Sequence, residues 1–308
     1  MTGPASPEAP FRLRLPATSA NLGPAFDAAA IALDRYLEIE AAPAPAFSIA
    51  CTGRDCDRCS TLEDNLIIET YKTLLAEEGQ EPDPLTITMA NAIPLGMGLG
   101  SSAASRLAAV ALAAQFGRLG WTAERILEKA CALEGHPDNA AACWLGGFVM
   151  AASDGAAILA SRVVPPVDWQ AIVVIPREPL ATSKARAALP ASYALSDVVA
   201  NIQSAGLLGL AFAQGRADLL HIAMSDRIHQ PWRAPICPLL DPLLPLAGRN
   251  GILGVALSGA GPAVLVIVEA ATALEPATAA IRQALPAKET AELLVCRFET
   301  RGASHESP

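Results

Sequence analysis

One run of eleven residues, PLGMGLGSSAA at positions 94–104, constrains this chain more than any other stretch. It follows an alternating apolar segment, residues 85–93, that predicts a strand, and it leads into a glycine- and proline-free segment, residues 101–116, that predicts a helix. Glycines let the backbone turn sharply and bring its N–H groups close to a bulky anion. The first N–H groups of a helix lack partners within it and carry partial positive charge. The run therefore predicts a phosphate-binding loop, and the simpler alternative is a tight turn followed by a serine N-cap.

The glycine run fits neither common nucleotide motif, because no lysine follows its last glycine and the spacing GxGxxG is absent. It resembles instead the phosphate loop of the GHMP kinases, which phosphorylate small molecules. Two further stretches, PATSANLGPAFD at 16–27 and EGHPDN at 134–139, resemble the homoserine kinases within that family. The resemblance covers residues 11–303, which is nearly the whole chain of 308 residues.

The resemblance implies an α+β, two-domain GHMP kinase fold. Its N-terminal domain would be ribosomal protein S5 domain 2-like and its C-terminal domain a ferredoxin-like α/β sandwich. The stretch Val164-Pro165-Pro166 is typical of a break between structural elements, so we predict domains at residues 1–164 and 165–308. In the second half we expect a strand at 171–175, helices at 195–214, 217–224, 239–249 and 270–285, and a last strand at 293–298. Residues 16–27 are expected to form a loop.

Composition excludes several classes of function. A net charge of −9 argues against nucleic acid as a partner, and no window of 18 residues is uninterrupted and apolar, so no membrane span is expected. The N-terminus lacks the pattern of a signal peptide, which leaves a cytoplasmic location as the expectation. The chain has seven cysteines, and because this number is odd they cannot all pair in disulfides. Cys51, Cys56 and Cys59 include one CxxC, but a zinc site there lacks a fourth ligand nearby.

The implied activity is the ATP-dependent phosphorylation of L-homoserine to O-phospho-L-homoserine, with ATP and Mg²⁺, in threonine biosynthesis. A homodimer is the oligomer that the resemblance implies. Two alternatives remain open: a GHMP kinase for another small alcohol, and a non-catalytic protein that binds ATP or a metabolite as a sensor. A sensor is expected to lose Ser102, Glu128 or the pair Asp138 and Asn139, and this chain keeps all four.

The resemblance implies that five residues bind the amino-acid substrate. Asp27 has the right charge to bind the substrate's ammonium group. An arginine guanidinium can donate two parallel hydrogen bonds, so it suits the substrate's carboxylate better than a lysine ammonium would. Taken alone, each of these residues is more ordinarily a turn residue or a solvated surface residue. The substrate-binding set is Asn21, Asp27, His136, Arg186 and Arg233.

The nucleotide site is expected to include the glycine run, the asparagine of DNLI and the second glycine turn, LSGAGPAVLVI at 257–267. The second turn is expected to pack against the phosphate loop and to act through its backbone. The ATP-binding set is Asn65, Pro94, Leu95, Gly96, Met97, Gly98, Leu99, Gly100, Ser101, Ser102, Ala103, Ser258, Gly259 and Gly261. The family's metal ligands are a loop serine and a glutamate eight residues before the motif's histidine, which here are Ser102 and Glu128.

The catalytic set that the resemblance implies is Asn139 and Asp138. Asn139 would orient the hydroxyl that is phosphorylated. No lysine stands partnered with an aspartate as in mevalonate-type relatives, and Lys184 lies in the segment expected to bind the substrate carboxylate. Asp138 is therefore the only base within the motif, and the alternative is that the proton leaves with the phosphate.

Overall fold

The computed structural model describes residues 10–155, 157–269, 271–286 and 288–306. Within these ranges the chain forms eleven strands and eleven α-helices, with three short 3-10 helices. The strands are β1 (Phe11–Asn21), β2 (Ala25–Pro43), β3 (Ser48–Gly53), β4 (Leu85–Asn91), β5 (Phe148–Asp154), β6 (Ala157–Val163), β7 (Gln170–Ile175), β8 (Ile252–Leu257), β9 (Val264–Val268), β10 (Glu292–Arg297) and β11 (Ser304–Glu306). The helices are α1 (Cys56–Cys59), α2 (Leu66–Glu77), α3 (Ser101–Phe116), α4 (Ala123–Glu134), α5 (Asp138–Leu145), α6 (Thr182–Ala187), α7 (Leu195–Gln214), α8 (Ala217–Ala223), α9 (Gln230–Arg233), α10 (Leu240–Leu243) and α11 (Leu274–Ala284).

The first sheet is built around the long strand β2. Its order is β11-β1-β2-β4-β3, and β5 also pairs with β2 and carries β6 at its edge. Burial alternates strictly along β4, where Leu85, Ile87 and Met89 are buried and the residues between them are exposed. Helices α3 and α5 contact β1 and β2, and α2 and α4 pack against α3. One face of the sheet is therefore covered by helices, and the start of the glycine run lies at the end of β4.

The second sheet is antiparallel, in the order β10-β7-β9-β8. On β7, Ile172 and Val174 belong to a core shared with α10 and α11. The alternate residues Ala171 and Val173 belong to the core that continues into the first sheet. Two sheets with helices between and around them make an α+β fold, as expected from the sequence.

The domain division at residues 164 and 165 stays a prediction, although sheet membership changes between β6 and β7. The second half also returns to the first sheet. Strand β11 pairs with β1, and Glu299 exchanges backbone hydrogen bonds with Ala32 and Gly147. The chain therefore crosses between the two sheets twice, and one hydrophobic core connects them.

Several predicted elements are confirmed, and two are wrong. The helices at 101–116 and 195–214 have the predicted bounds. The loop predicted at 16–27 is instead the end of β1 and the start of β2, because residues 16–21 are buried and pair across to β2, which leaves only residues 22–24 as a turn. The helix predicted at 239–249 is broken after Leu243, since Pro242 and Pro245 cannot donate backbone hydrogen bonds.

Helix α7 is the one helix among the described residues that is long and apolar enough to cross a membrane, judged by length and composition alone. It packs on the rest of the chain. The ring of Phe212 stacks on Phe148 at 4.2 Å between centroids, and the Asn201 amide donates to the carbonyl of Pro24 at 2.6 Å. The absence of a membrane span stays a prediction.

Candidate active site

The glycine run adopts a backbone that requires glycine at three alternate positions. Gly96, Gly98 and Gly100 have φ of 71°, 77° and 70°, in the left-handed region. A Cβ on Gly98 would lie 2.1 Å from the carbonyl oxygen of Ser258, and one on Gly100 would lie 2.0 Å from the Thr18 hydroxyl oxygen. The loop is therefore pressed against both halves of the chain and ends directly at the N-terminus of α3. Backbone N–H groups and a helix N-terminus together suit a polyphosphate.

The second glycine turn contacts this loop, as predicted, but not only through its backbone. The hydroxyl of Ser258 donates to the carbonyl of Gly98 at 2.7 Å and lies 2.8 Å from the Ser19 hydroxyl. The Ser258 side chain therefore also holds the two turns together, and the action of Ser258, Gly259 and Gly261 on the nucleotide through their backbone stays a prediction. Gly259 does use its backbone: its N–H donates to the carbonyl of Ala20 at 3.1 Å, and its carbonyl accepts from the Asn21 amide at 2.8 Å.

A cavity lies in front of the loop and is lined by both halves of the chain. It brings together all the residues predicted for the substrate and the reaction, and much of the glycine run. Those on its wall are Asn21, Asp27, Gly96, Gly98, Leu99, Gly100, Ser101, Ser102, Ala103, His136, Asp138, Asn139, Arg186, Arg233 and Gly259. Glu134, Thr182 and Leu180 are further lining residues that the sequence did not single out.

The carboxylate beside Ser102 belongs to Glu134 and not to Glu128. The Ser102 hydroxyl donates to Glu134 Oε1 at 2.7 Å, and Arg106 lies 3.3 Å from the same oxygen. Glu128 pairs with Arg125 one turn earlier on α4, at 3.2 Å, and is not on the cavity wall. Glu134 is thus the carboxylate that contacts Ser102, and the metal pair of Ser102 and Glu128 stays a prediction. Helix α4 ends at Glu134, and Gly135 in the left-handed region turns the chain into the next motif.

His136, Asp138 and Asn139 form one hydrogen-bonded group at the start of α5. His136 Nδ1 lies 2.6 Å from Asp138 Oδ1, and that oxygen also accepts from the Asn139 backbone N–H at 2.6 Å and from its side-chain amide at 3.2 Å. Burial favours the neutral imidazole, but the hydrogen bond and charge of Asp138 outweigh it, with help from Asp27 and Glu134, so the pKa of His136 is raised. Asn139 Oδ1 accepts from the hydroxyl of Thr18 at 2.7 Å.

Asp27 and Arg186 face each other across the cavity and form a two-pronged ion pair. The distances from the guanidinium nitrogens to the carboxylate oxygens are 2.8 and 3.0 Å. Asn21 supports this arrangement, because its side-chain oxygen accepts from the Asp27 backbone N–H at 3.0 Å. Both residues have positive φ, which fixes the sharp turn between β1 and β2.

Arg233 is almost completely buried and forms no ion pair within the described residues. Its guanidinium donates to the Ala185 carbonyl at 3.2 Å and to His229 Nδ1 at 3.1 Å. His229 Nε2 lies 2.7 Å from the Gly23 carbonyl, so it is the donor and Nδ1 the acceptor of a neutral ring. Burial, opposed by the charge of Asp226, lowers the pKa of His229. Burial and the nearby positive charge of Arg186 lower the pKa of Arg233.

A second cavity, of about 300 Å³, adjoins the first at Gly96, Ser101 and Ser102. Asn65 and Leu95 lie on its wall. The Asn65 side chain caps α2: its oxygen accepts from the N–H groups of Ile67 and Ile68, and its amide donates to the carbonyls of Cys59 and Thr61. All four of its hydrogen-bonding positions are thus used within the chain. The remaining predicted ATP residues are not on the walls of these two cavities; they are Pro94, Met97, Ser258 and Gly261.

Sequence reasoning missed Glu134, Thr18 and His229. Glu134 stands inside the quoted EGHPDN motif, so its place two residues before His136 was available as a signal. Thr18 likewise stands inside PATSAN. His229 has no local signal, because only the tertiary fold places its ring between Arg233 and the turn at Gly23.

Comparison with known proteins places this geometry in a family. The domain described as GHMP kinases N terminal domain matches residues 65–147, and that described as GHMP kinases C terminal matches residues 210–287. A homoserine kinase from Solibacter usitatus is 44% identical over 260 residues, which cover 84% of this chain and 85% of that protein. A homoserine kinase from Synechocystis sp. is 35% identical and covers 96% of this chain and 97% of its own length.

Solved structures have the same fold. The crystal structure of homoserine kinase from Cytophaga hutchinsonii superposes with a TM-score of 0.83 at 26% identity, over 99% of this chain and 100% of that one. Streptococcus pneumoniae phosphomevalonate kinase, solved with phosphomevalonate and AMPPNP, superposes with a TM-score of 0.67 at 15% identity over 96% of this chain and 99% of that one. The second likeness shows the fold alone.

Proposed function

This chain belongs to the GHMP kinase family, among the homoserine kinases, and we propose that it transfers the γ-phosphate of ATP to the side-chain hydroxyl of L-homoserine. The products are O-phospho-L-homoserine and ADP, on the route to threonine. One observation carries the proposal: a glycine loop suited to phosphate shares its cavity with Asp27, Arg186 and Arg233. Those three side chains supply the charges that the ends of an amino acid require.

The amino-acid end of the cavity is arranged for an exchange of ionic partners. Arg186 and Asp27 neutralise each other, whereas Arg233 is a buried cation with only neutral partners. A buried charge without a counter-ion is costly, so a substrate carboxylate stabilises it strongly. When homoserine binds, its carboxylate contacts the two arginines and its ammonium contacts Asp27. The ring of Phe26, 5.3 and 5.5 Å from the two guanidinium carbons, lies beside both arginines.

The phosphate end needs positioning and charge neutralisation more than covalent chemistry. Phosphoryl transfer passes through a loose transition state whose charge is spread over the phosphate oxygens. The glycine loop lines the cavity and α3 begins there at Ser101, so the loop's backbone N–H groups and the N-terminus of α3 would neutralise that charge. ATP binding follows from the family, and the adjoining cavity at Asn65 has room for the rest of the nucleotide.

Mg²⁺ is the proposed metal, and Ser102 and Glu134 are the residues that would hold it. A hydroxyl and a carboxylate oxygen, 2.7 Å apart, are the hard donors that Mg²⁺ prefers. Magnesium bound between them and the phosphates would neutralise part of the phosphate charge. Arg106 already neutralises Glu134 in part, at 3.3 Å, and would share that carboxylate with the ion.

Asn139 is proposed to contact the hydroxyl that attacks, and His136 to contact the substrate. Asp138 Oδ1 accepts from three donors of these two residues, so we assign it the role of holding them. Asp138 as the base is the alternative predicted from the sequence.

We propose further that two copies of the chain associate through the exposed apolar stripe of α7. Leu195, Val199, Ile202 and Leu210 expose 77%, 44%, 66% and 52% of their surface, and no charged residue stands between Asp197 and Arg216. Two such stripes packed antiparallel, with Gly206 between them, would cover on the order of 1,000 Å², the lower limit for a specific interface. A second copy fits because the stripe is self-complementary about a two-fold axis. The cytoplasmic location stays a prediction.

The proposed reaction is tested by ADP release from Mg²⁺-ATP with four acceptors: L-homoserine, L-serine, L-threonine and mevalonate. We expect turnover with L-homoserine far above the other three. Arg186→Ala should raise the KM for homoserine by roughly 30- to 100-fold through loss of a two-pronged charged contact, and leave the KM for ATP unchanged. Arg249→Ala, at an exposed arginine off the walls of both cavities, is the matched control.

Other outcomes would reassign the chain. Turnover on mevalonate but not on homoserine would make it a kinase for another alcohol. Tight ATP binding with no turnover on any acceptor would make it a sensor.

A further inference from the structure

We propose that Thr18 is a positioning residue for the reaction: its hydroxyl anchors the Asn139 amide by donating to the amide oxygen, so that the free N–H is held facing the acceptor hydroxyl. The inference rests on the proposed function for its kinetic consequence, but the orientation itself is a property of the free protein. It depends on the short contact of 2.7 Å between Thr18 Oγ1 and Asn139 Oδ1.

The orientation of the amide follows from the donors and acceptors around it. Asp138 presents a carboxylate oxygen 3.2 Å from the Asn139 amide nitrogen. A carboxylate only accepts, so the amide must direct its nitrogen to that side and its oxygen to the other. Asp138 therefore decides which end of the amide is the nitrogen. On the other side stands Thr18, whose hydroxyl can donate or accept; here it donates to the amide oxygen at 2.7 Å and anchors that end.

Thr18 is itself held rigidly, which lets it act as a fixed reference. It is fully buried, and its backbone N–H donates to the carbonyl of Leu99 in the glycine loop at 3.1 Å. Its β-branched side chain has few rotamers, and the space beside its hydroxyl exists because residue 100 is glycine. The same residue thus touches the phosphate loop and Asn139, and it sets one relative to the other.

The second N–H of Asn139 remains without a partner among the described residues, and Asn139 lies on the cavity wall. It can donate to the oxygen of the acceptor hydroxyl, which leaves that hydroxyl's own proton free to point away and a lone pair free for attack. Without the anchor at its oxygen, the amide is held at one end only, and the free N–H is no longer fixed relative to the acceptor oxygen. Loss of the Thr18 hydroxyl should therefore slow the chemical step more than it weakens binding.

The test compares Thr18→Val, which keeps the shape and removes the hydroxyl, with Thr18→Ser, which keeps the hydroxyl. We expect Thr18→Val to lower kcat roughly tenfold or more, with the KM values for ATP and homoserine within about twofold of the wild type. Thr18→Ser should retain kcat within about threefold. An unchanged kcat in Thr18→Val, or equal losses in both variants, would overturn the proposal.

A second readout needs no turnover. The side-chain NH₂ signals of Asn139 in a ¹H–¹⁵N spectrum, identified by their loss in Asn139→Ala, report the environment of the amide directly. We expect them to move in Thr18→Val and to stay in Thr18→Ser. If they stay in both while the melting temperature of Thr18→Val falls, Thr18 only packs and the proposal is wrong. Because this spectrum is recorded without substrate, failure of the proposed reaction would not obscure the result.

Discussion

At the scale of single residues, the proposed metal site depends on which of two glutamates lies beside Ser102. Glu128 and Glu134 lie on the same helix, but Glu128 pairs with Arg125 and Glu134 contacts Ser102. Counting eight residues back from His136 gives Glu128, whereas Glu134, at the C-terminal end of α4, is the glutamate on the cavity wall. The spacing of a motif along the chain thus does not show which of two carboxylates on one helix contacts Ser102.

The pair offers a matched test of the magnesium assignment. Glu134→Gln removes the charge beside Ser102, so the Mg²⁺ concentration that gives half-maximal turnover should rise by roughly 10- to 100-fold. Glu128→Gln removes an equal charge on the same helix and should leave the Mg²⁺ requirement within about twofold. Titration of activity with Mg²⁺ at fixed ATP makes the comparison, and the reverse order of effects would identify Glu128 as the ligand.

At the scale of elements, the loop between β4 and α3 is held by contacts to the second half. The Gly98 carbonyl accepts from Ser258, and the Gly96 carbonyl accepts from the backbone N–H of Leu180. Strand, glycines and helix are all recognisable from the local sequence, which is why this element was predicted with its correct helix bounds. The sequence did not predict that residues 16–21 form a strand. That strand arises from burial beneath α3, α5 and the second half of the chain, which no local pattern encodes.

Gly79 and Gly98 have similar backbone angles but different surroundings. They therefore distinguish the cost of a left-handed backbone from the cost of a steric clash with a neighbouring residue. Gly79 and Gly98 have φ of 71° and 77°, but a Cβ on Gly79 would meet nothing within 4 Å, whereas one on Gly98 would lie 2.1 Å from the Ser258 carbonyl oxygen. Gly79→Ala should therefore cost only about 1–2 kcal/mol of stability, with ATP affinity unchanged. Gly98→Ala should cost more and weaken ATP binding at least roughly tenfold, because the loop must shift. Equal effects in calorimetric titrations with ATP would contradict this reading of the loop.

At the scale of the whole molecule, the cavity exists because the chain's two sheets close on each other. Asp27, on β2, meets Arg186, on α6, and Arg233 reaches the cavity from α9. The family and the residue types were available from motifs, since each motif is local. Local motifs could not predict the mutual neutralisation of Asp27 and Arg186 or the neutral ring of His229 beside Arg233. These contacts join segments about 160 and 206 residues apart in the chain.

Association of two copies also belongs to this scale. The double substitution of Ile202 and Leu210 by Glu should convert a dimer into a monomer in light scattering coupled to size exclusion, since four charges would face an apolar stripe. Leu62→Glu, at a residue of similar exposure in the first half of the chain, should leave the dimer intact. A wild-type protein that is monomeric at all concentrations would remove this interface.

One cavity is proposed to bring the γ-phosphate of ATP to the hydroxyl of an amino acid. The most direct test is ³¹P NMR of the wild-type protein with Mg²⁺-ATP and L-homoserine. We predict a new phosphomonoester signal, split by an adjacent CH₂ group, that grows in equal amount with ADP and is absent when homoserine is omitted. ADP accompanied only by inorganic phosphate, or no change in the ATP signals, would contradict the account.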